Sequence, residues 1–145
     1  MKHAVVLAAL VLATGSASAA SPAVSVSDCW IRSVPAPAPS AGYFKVHNAG
    51  KTPVRLVAAS SSAYGEVMLH QTRHDGGMSK MSMVPSVEIA AGGSLEFKPG
   101  GFHAMLEKPR QEIKVGAVVP VQFEFDSGEK VQASCEVKPA KTMAH

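Results

Sequence analysis

An all-β domain, an antiparallel sandwich or Greek-key barrel, is what this 145-residue sequence predicts. Three observations carry the expectation. Short β-type runs follow one another from Val24 onward, turn-forming clusters punctuate them at near-even spacing, and no stretch holds a helical period. A chain of this size built from evenly spaced short strands closes most readily into a sandwich or a barrel.

Taken in order, the chain opens on Met1, Lys2 and His3, followed by an apolar run from Ala4 to Ala13 and the small residues Ala17-Ser18-Ala19. Together these read as a secretory leader over residues 1–19. The apolar run is shorter than the roughly 18 residues a membrane-spanning helix needs, so export without membrane insertion is expected. Strands are predicted at Val24–Arg32, Gly42–Asn48, Val54–Ala59, Glu66–Thr72, Ser79–Val84, Ser94–Lys98, Phe102–Leu106, Val121–Phe125 and Lys130–Val137. Turn signals separate them: Pro35 to Pro39, Asn48-Ala49-Gly50, Asp75-Gly76-Gly77, Ala91-Gly92-Gly93, Pro99-Gly100-Gly101 and Asp126-Ser127-Gly128. Alternation is clearest in Val121-Gln122-Phe123-Glu124-Phe125, where one face must be buried. The proline-rich segment cannot be a central strand, because proline offers no ladder donor. Residues 139–145 lack an apolar period and read as a flexible tail, which leaves 20–138 as a single domain.

Removing the leader brings the net charge from +3 to near +2. No run of five or six basic residues occurs and aromatics are sparse, so nucleic-acid binding is not expected. Two cysteines, Cys29 and Cys135, stand near the two ends of the predicted domain. In an oxidising compartment such a pair is expected to form a disulfide, the rival reading being metal thiolates.

Chemistry concentrates between Met68 and Met105, which hold Met68, His70, His74, Met78, Met81, Met83, His103 and Met105. Singly, a methionine on a strand is more often core filler and a histidine more often a surface residue. Spacing argues otherwise. Strand side chains alternate, so His103 and Met105 share a face, as do Met81 and Met83, and His70 shares its side with Met68. Glycines at 76–77 and 100–101 would let these strands or their loop ends approach one another. Thioether sulfur is a poor ligand for zinc, calcium or magnesium and favours copper(I), while imidazole suits copper in either oxidation state. Histidine and methionine without thiolate therefore indicate copper(I).

The intervals His70, ten residues, Met81, twenty-one residues, His103, one residue, Met105 resemble the signature of the periplasmic copper chaperones called PCu(A)C. The resemblance extends through Asp28-Cys29-Trp30-Ile31-Arg32, Ala41-Gly42-Tyr43-Phe44 with Asn48, Glu66 to His70, Ala91-Gly92-Gly93, and Lys98 to His103. The Cys29/Cys135 pair departs from the family pattern. The resemblance implies a cupredoxin-like β-sandwich with an exposed copper(I) site made by His70, Met81, His103 and Met105. It also implies a periplasmic carrier, not an enzyme, that passes copper towards the binuclear copper centre of cytochrome c oxidase, whether to the oxidase's copper subunit or to a Sco-like thiol protein. Met83 is the expected substitute ligand, His145 a further auxiliary, and Met68 and Met78 surrounding positions. A monomer is expected, with a metal-bridged dimer as the alternative.

Rival readings are a copper tolerance or storage protein, which would use the same site, and a blue-copper electron carrier. The latter needs a cysteine thiolate with a histidine closely following, whereas Cys135 is followed by His145 only after nine residues. No nucleophile, base and orienting acid stand at recognisable enzymatic spacing.

Overall fold

The structure, a computed structural model, describes residues 21–143, so the leader expected at 1–19 and the auxiliary His145 lie outside the described residues. Ten strands form among the described residues: β1 (Val24–Arg32), β2 (Ser40–Asn48), β3 (Val54–Ser60), β4 (Tyr64–Asp75), β5 (Met78–Met83), β6 (Val87–Ile89), β7 (Ser94–Phe97), β8 (Phe102–Pro109), β9 (Val118–Phe125) and β10 (Lys130–Lys138). All nine expected strands are present. The tenth, β6, has three residues, too few for alternation to show in the sequence. β9 starts earlier than expected and includes Pro120. Its pairing with β3 reaches only Gln122, so on that side the proline sits beyond the ladder.

The strands follow one hydrogen-bonded path in the order β5-β4-β8-β2-β1-β10-β9-β3-β6, with β7 pairing β2. β2 changes partner along its length, from β8 at Ser40–Gly42 to β7 at Phe44–His47. The sheet is mixed where the sequence suggested wholly antiparallel pairing. β1 and β10 run parallel, because they are not joined by a hairpin but brought side by side from opposite ends of the domain.

One apolar core gathers buried residues from every strand except β5. At its centre Phe44 stacks on Phe97 at 4.2 Å and tilts against Phe123 at 4.3 Å. Asn48, fully buried, donates from Nδ2 to the Thr52 and Ile89 carbonyls and accepts from the Gly50 N–H, so its polar atoms are satisfied at the edge of this core.

A β-bulge in β1 decides which face its second half presents. Ser27 pairs with Lys45 and Trp30 with Tyr43, leaving Asp28 and Cys29 opposite a single residue. Asp28 takes a left-handed backbone conformation, φ 50°. The extra residue shifts the alternation, so Val24 and Ile31 both reach the core while Trp30 turns to the outer face. Cys29 also turns inward and forms the expected disulfide with Cys135 on neighbouring β10.

The bridge joins residues 106 apart in sequence. Closing so long a loop restricts the unfolded chain, so replacing both cysteines by alanine is expected to lower stability by about 2–5 kcal/mol. Chemical denaturation of the oxidised protein against the double variant measures this directly.

Candidate metal site

The outer face of β5-β4-β8-β2-β1 carries the donors. In β8 the alternation sends Ala104 and Leu106 into the core and His103 and Met105 to the other side. β4 pairs with β8 so that His70 lies directly opposite His103 and Met68 opposite Met105. On its far side β4 pairs with β5, placing Met83 opposite His70 and Met81 opposite Thr72. The register follows from the turn: Gly76 and Gly77, both with positive φ, close a two-residue hairpin between Asp75 and Met78.

His103 is 2% exposed and Met105 is 9% exposed. The two imidazole rings stand 5.7 Å apart between centres. Burying a ring nitrogen without a partner is costly, yet His70 Nδ1 and His103 Nε2 are both buried and have no hydrogen-bond partner among the described residues. His103 Nδ1 lies 3.1 Å from the Gly101 carbonyl. With Nδ1–H donating there, Nε2 keeps its lone pair, the orientation device that metal-binding histidines use. The same carbonyl accepts from the Thr72 N–H at 3.0 Å, locking β4 to the loop before β8. That loop is a turn with Pro99 and Gly100 at its centre and φ 84° at Gly100, a backbone that favours glycine.

Beyond the histidines, Tyr43 lies 6.3 Å from His103 and 4.6 Å from Trp30 between ring centres. The Arg32 guanidinium carbon stands 5.3 Å from the Tyr43 ring centre. Arg32, Tyr43, Thr72, Met81, His103 and Met105 all line one cleft of about 230 Å³. Burial pushes the His103 pKa below the ordinary histidine value; the Gly101 hydrogen bond opposes this, and His70 and Arg32 add to it. The ring is therefore held neutral, the form that binds metal.

The structure thus brings His70, His103 and Met105 onto one face with both β5 sulfurs beside them. Met83 is the cross-strand neighbour of His70, whereas Met81 lines the cleft with His103 and Met105. Met83 is 67% exposed and Met81 58%, so a metal would draw their side chains in. Met78 pairs with Asp75, at the tip of the hairpin. Cys29 and Cys135 are bridged on the core side and offer no thiolate. Among the described residues no group of three or more His, Cys, Asp and Glu side chains converges. The available donors are thus two imidazole nitrogens and thioethers, and that set fits a soft monovalent ion. The sequence reading missed the wall of Arg32, Tyr43 and Trp30. Its signal was the pair Trp30-x-Arg32 beside Ala41-x-Tyr43, but the bulge disguises which way those residues face.

Residues 24–137 match the protein family described as "Putative lipoprotein LpqE-like". The chain is 35% identical over 88 residues to "Uncharacterized protein RP573" of Rickettsia prowazekii, a match covering 60% of this chain. It spans about half, 49%, of that relative's length. It is 31% identical over 116 residues to "Putative lipoprotein Lxx21020" of Leifsonia xyli subsp. xyli, covering 79% of this chain and 69% of that one. Among solved structures, the apo PmoF2 PCuAC domain superposes with a TM-score of 0.71 at 19% identity, covering 87% of this chain and 98% of the other. CuI-DR1885 from Deinococcus radiodurans superposes with a TM-score of 0.63 at 31% identity, covering 78% and 76%. The cupredoxin-like fold implied by the sequence resemblance is the fold these chains share.

The His103 environment predicts a pH dependence in the metal-free protein. The unfolded chain takes up a proton at this histidine near pH 6.5, while the folded chain does so only at lower pH. Between those values the unfolded state binds more protons, so stability falls as pH drops through about 6.5 and levels off below the folded pKa. Denaturation midpoints between pH 7.5 and 5 should decline more steeply for the wild type than for His103→Gln.

Proposed function

The chain belongs to the LpqE-like family, a family of the PCuAC type, and from that premise we propose that it is an exported copper(I) carrier. It holds one ion between His70, His103, Met105 and a β5 methionine and gives it up by ligand exchange. The observation that carries this reading is the pair of buried, unpartnered imidazole nitrogens on directly opposed residues, with a thioether beside them. The copper(I) form of the Deinococcus relative supports the choice of ion.

Among the β5 sulfurs we assign Met81 as the ligand, because it lines the cleft with His103 and Met105, and Met83 as the substitute beside His70. Imidazole and thioether donors are all neutral, so the ion keeps its positive charge in the site. Arg32 on the cleft wall adds repulsion. An acceptor with thiolates gains charge neutralisation and softness together, which favours transfer in that direction. A Sco-like thiol protein, or the copper subunit of cytochrome c oxidase, has those chemical properties. The leader expected at 1–19 and the lipoprotein names of the family and of the Leifsonia relative support an exported protein, and we place it in the periplasm. Copper tolerance or storage would use the same donors; an oxidase that loses its copper centre when the protein is absent separates delivery from storage. A blue-copper carrier would need a cysteine ligand, and both cysteines are bridged.

Anaerobic competition titration tests the site. The wild type should bind one tight equivalent of copper(I), and His70→Ala, His103→Ala and Met105→Ala should each weaken it by about tenfold or more, roughly 1.4 kcal/mol. Binding unchanged in all three overturns the proposal. Met81→Ala should cost more than Met83→Ala if Met81 is the ligand.

Arg32→Gln should tighten binding by about fivefold, the effect of removing about 1 kcal/mol of like-charge repulsion. Wild-type affinity should also rise with ionic strength, whereas that of Arg32→Gln should change less. The same titrations repeated at low and high salt measure both effects.

A further inference from the structure

The β4–β5 hairpin extends past the donors described above and brings one more histidine to the same face. His74 follows His70 by four residues on β4, so both project to the same side of the sheet. His74 is exposed, and its cross-strand partner is Ser79, whose Oγ lies 2.9 Å from His74 Nδ1. With Nδ1–H donating to that hydroxyl, the ring is held and Nε2 keeps its lone pair.

Nε2 is aimed at the rim of the cleft. It lies 3.8 Å from where a Cβ on residue 100 would stand, but residue 100 is a glycine with φ 84°. Gly100 itself lines the cleft beside Met81, His103 and Met105. The absence of a side chain there leaves the path from His74 to the cleft open. Met81 belongs to the row between His74 and His70: Thr72 is its partner, with His74 one two-residue step towards the tip and His70 one step back. Each step is about 7 Å along the strand. An exposed, unbranched thioether with three rotatable bonds can turn towards either histidine.

We propose that His74 Nε2 and the Met81 thioether form a second, weaker copper(I) site at the mouth of the cleft, through which the ion enters and leaves. This rests on the assignment of His70, His103 and Met105 as the principal site. Outward transfer is an exchange of donors: a copper bond to His74 Nε2 forms as a bond to a buried imidazole breaks, while Met81 stays attached. Copper remains in the +1 state, and one copper–nitrogen bond forms for each one broken.

Three variants of the full chain test the proposal: His74→Ala, Ser79→Ala and, as a control, His47→Ala. His47 is also exposed and held by a serine, its Nδ1 lying 2.8 Å from Ser94 Oγ, but it lies on β2, which is not paired with the methionine hairpin. Under anaerobic titration with excess copper(I), followed by native mass spectrometry, the wild type should take a tight first equivalent and a weaker second one. His74→Ala should lose the second and keep the first; Ser79→Ala should weaken the second by about tenfold; His47→Ala should match the wild type. Transfer of the first equivalent to bathocuproine disulfonate should slow by about tenfold in His74→Ala, with its equilibrium affinity unchanged. A second equivalent that survives in His74→Ala, or a transfer rate insensitive to that change, overturns this inference and leaves the principal site standing. Failure of the wild type to bind a first equivalent overturns the principal site instead.

Discussion

The pairing of β4 with β8 has to satisfy two faces at once. On the inner face Leu69, Ala104 and Leu106 join the apolar core, and their burial fixes the register within one residue. A slip by a single position would carry every side chain of one strand to the opposite face. On the outer face that same register sets His70 opposite His103 and Met68 opposite Met105. The donors are therefore held in register by hydrophobic burial on the other side of the strands, and the core stabilises two ring nitrogens that lack partners of their own.

The rest of the fold supports this arrangement from the other end of the path. The bulge at Asp28 and Cys29 redirects β1 so that the disulfide and Ile31 face the core while Trp30 joins Tyr43 and Ala41 outside. Without the extra residue, Trp30 and Arg32 would point inward, and Tyr43, which lies beside His103, would lose the two side chains packed against it. Lys45 pairs with Asp28 at 3.1 Å, but both are half exposed, and such a pair contributes little on its own. Backbone geometry at the bulge, more than this ion pair, sets the direction of the Trp30 and Arg32 side chains.

Much of this was legible in the sequence. β1 was delimited to the residue, and the alternation in β9 marked its buried face. The shared face of His103 and Met105 followed from strand period alone. The cross-strand order was harder, because alternation gives the side on which a residue lies and not the neighbour it meets. One clue was present: a two-residue Gly76-Gly77 turn pairs Asp75 with Met78 and, counting back, Thr72 with Met81 and His70 with Met83. The parallel pairing of β1 with β10 joins elements far apart in the chain and leaves no local pattern. β6 is too short to show one, and the Arg32–Tyr43 wall is hidden by the bulge that reverses its alternation.

Carrying an ion and releasing it place opposite demands on the same donors. A carboxylate or thiolate at the cleft would neutralise the ion and hold it, whereas two imidazoles and thioethers bind it through softness while leaving its charge in place. In the proposed carrier, Arg32, set over the Tyr43 ring on the cleft wall, would move the balance further towards release. The arrangement also separates a buried half of the site from an exposed half. His103 and Met105 are buried on a central strand, whereas β5 lies at the end of the sheet path, contributes nothing to the core and exposes its sulfurs. A sulfur on such an edge can shift with the ion without disturbing the packing that positions the histidines. In the proposed carrier, the ion and its β5 sulfur would therefore move towards the cleft mouth while the His70–His103 pair stays in register.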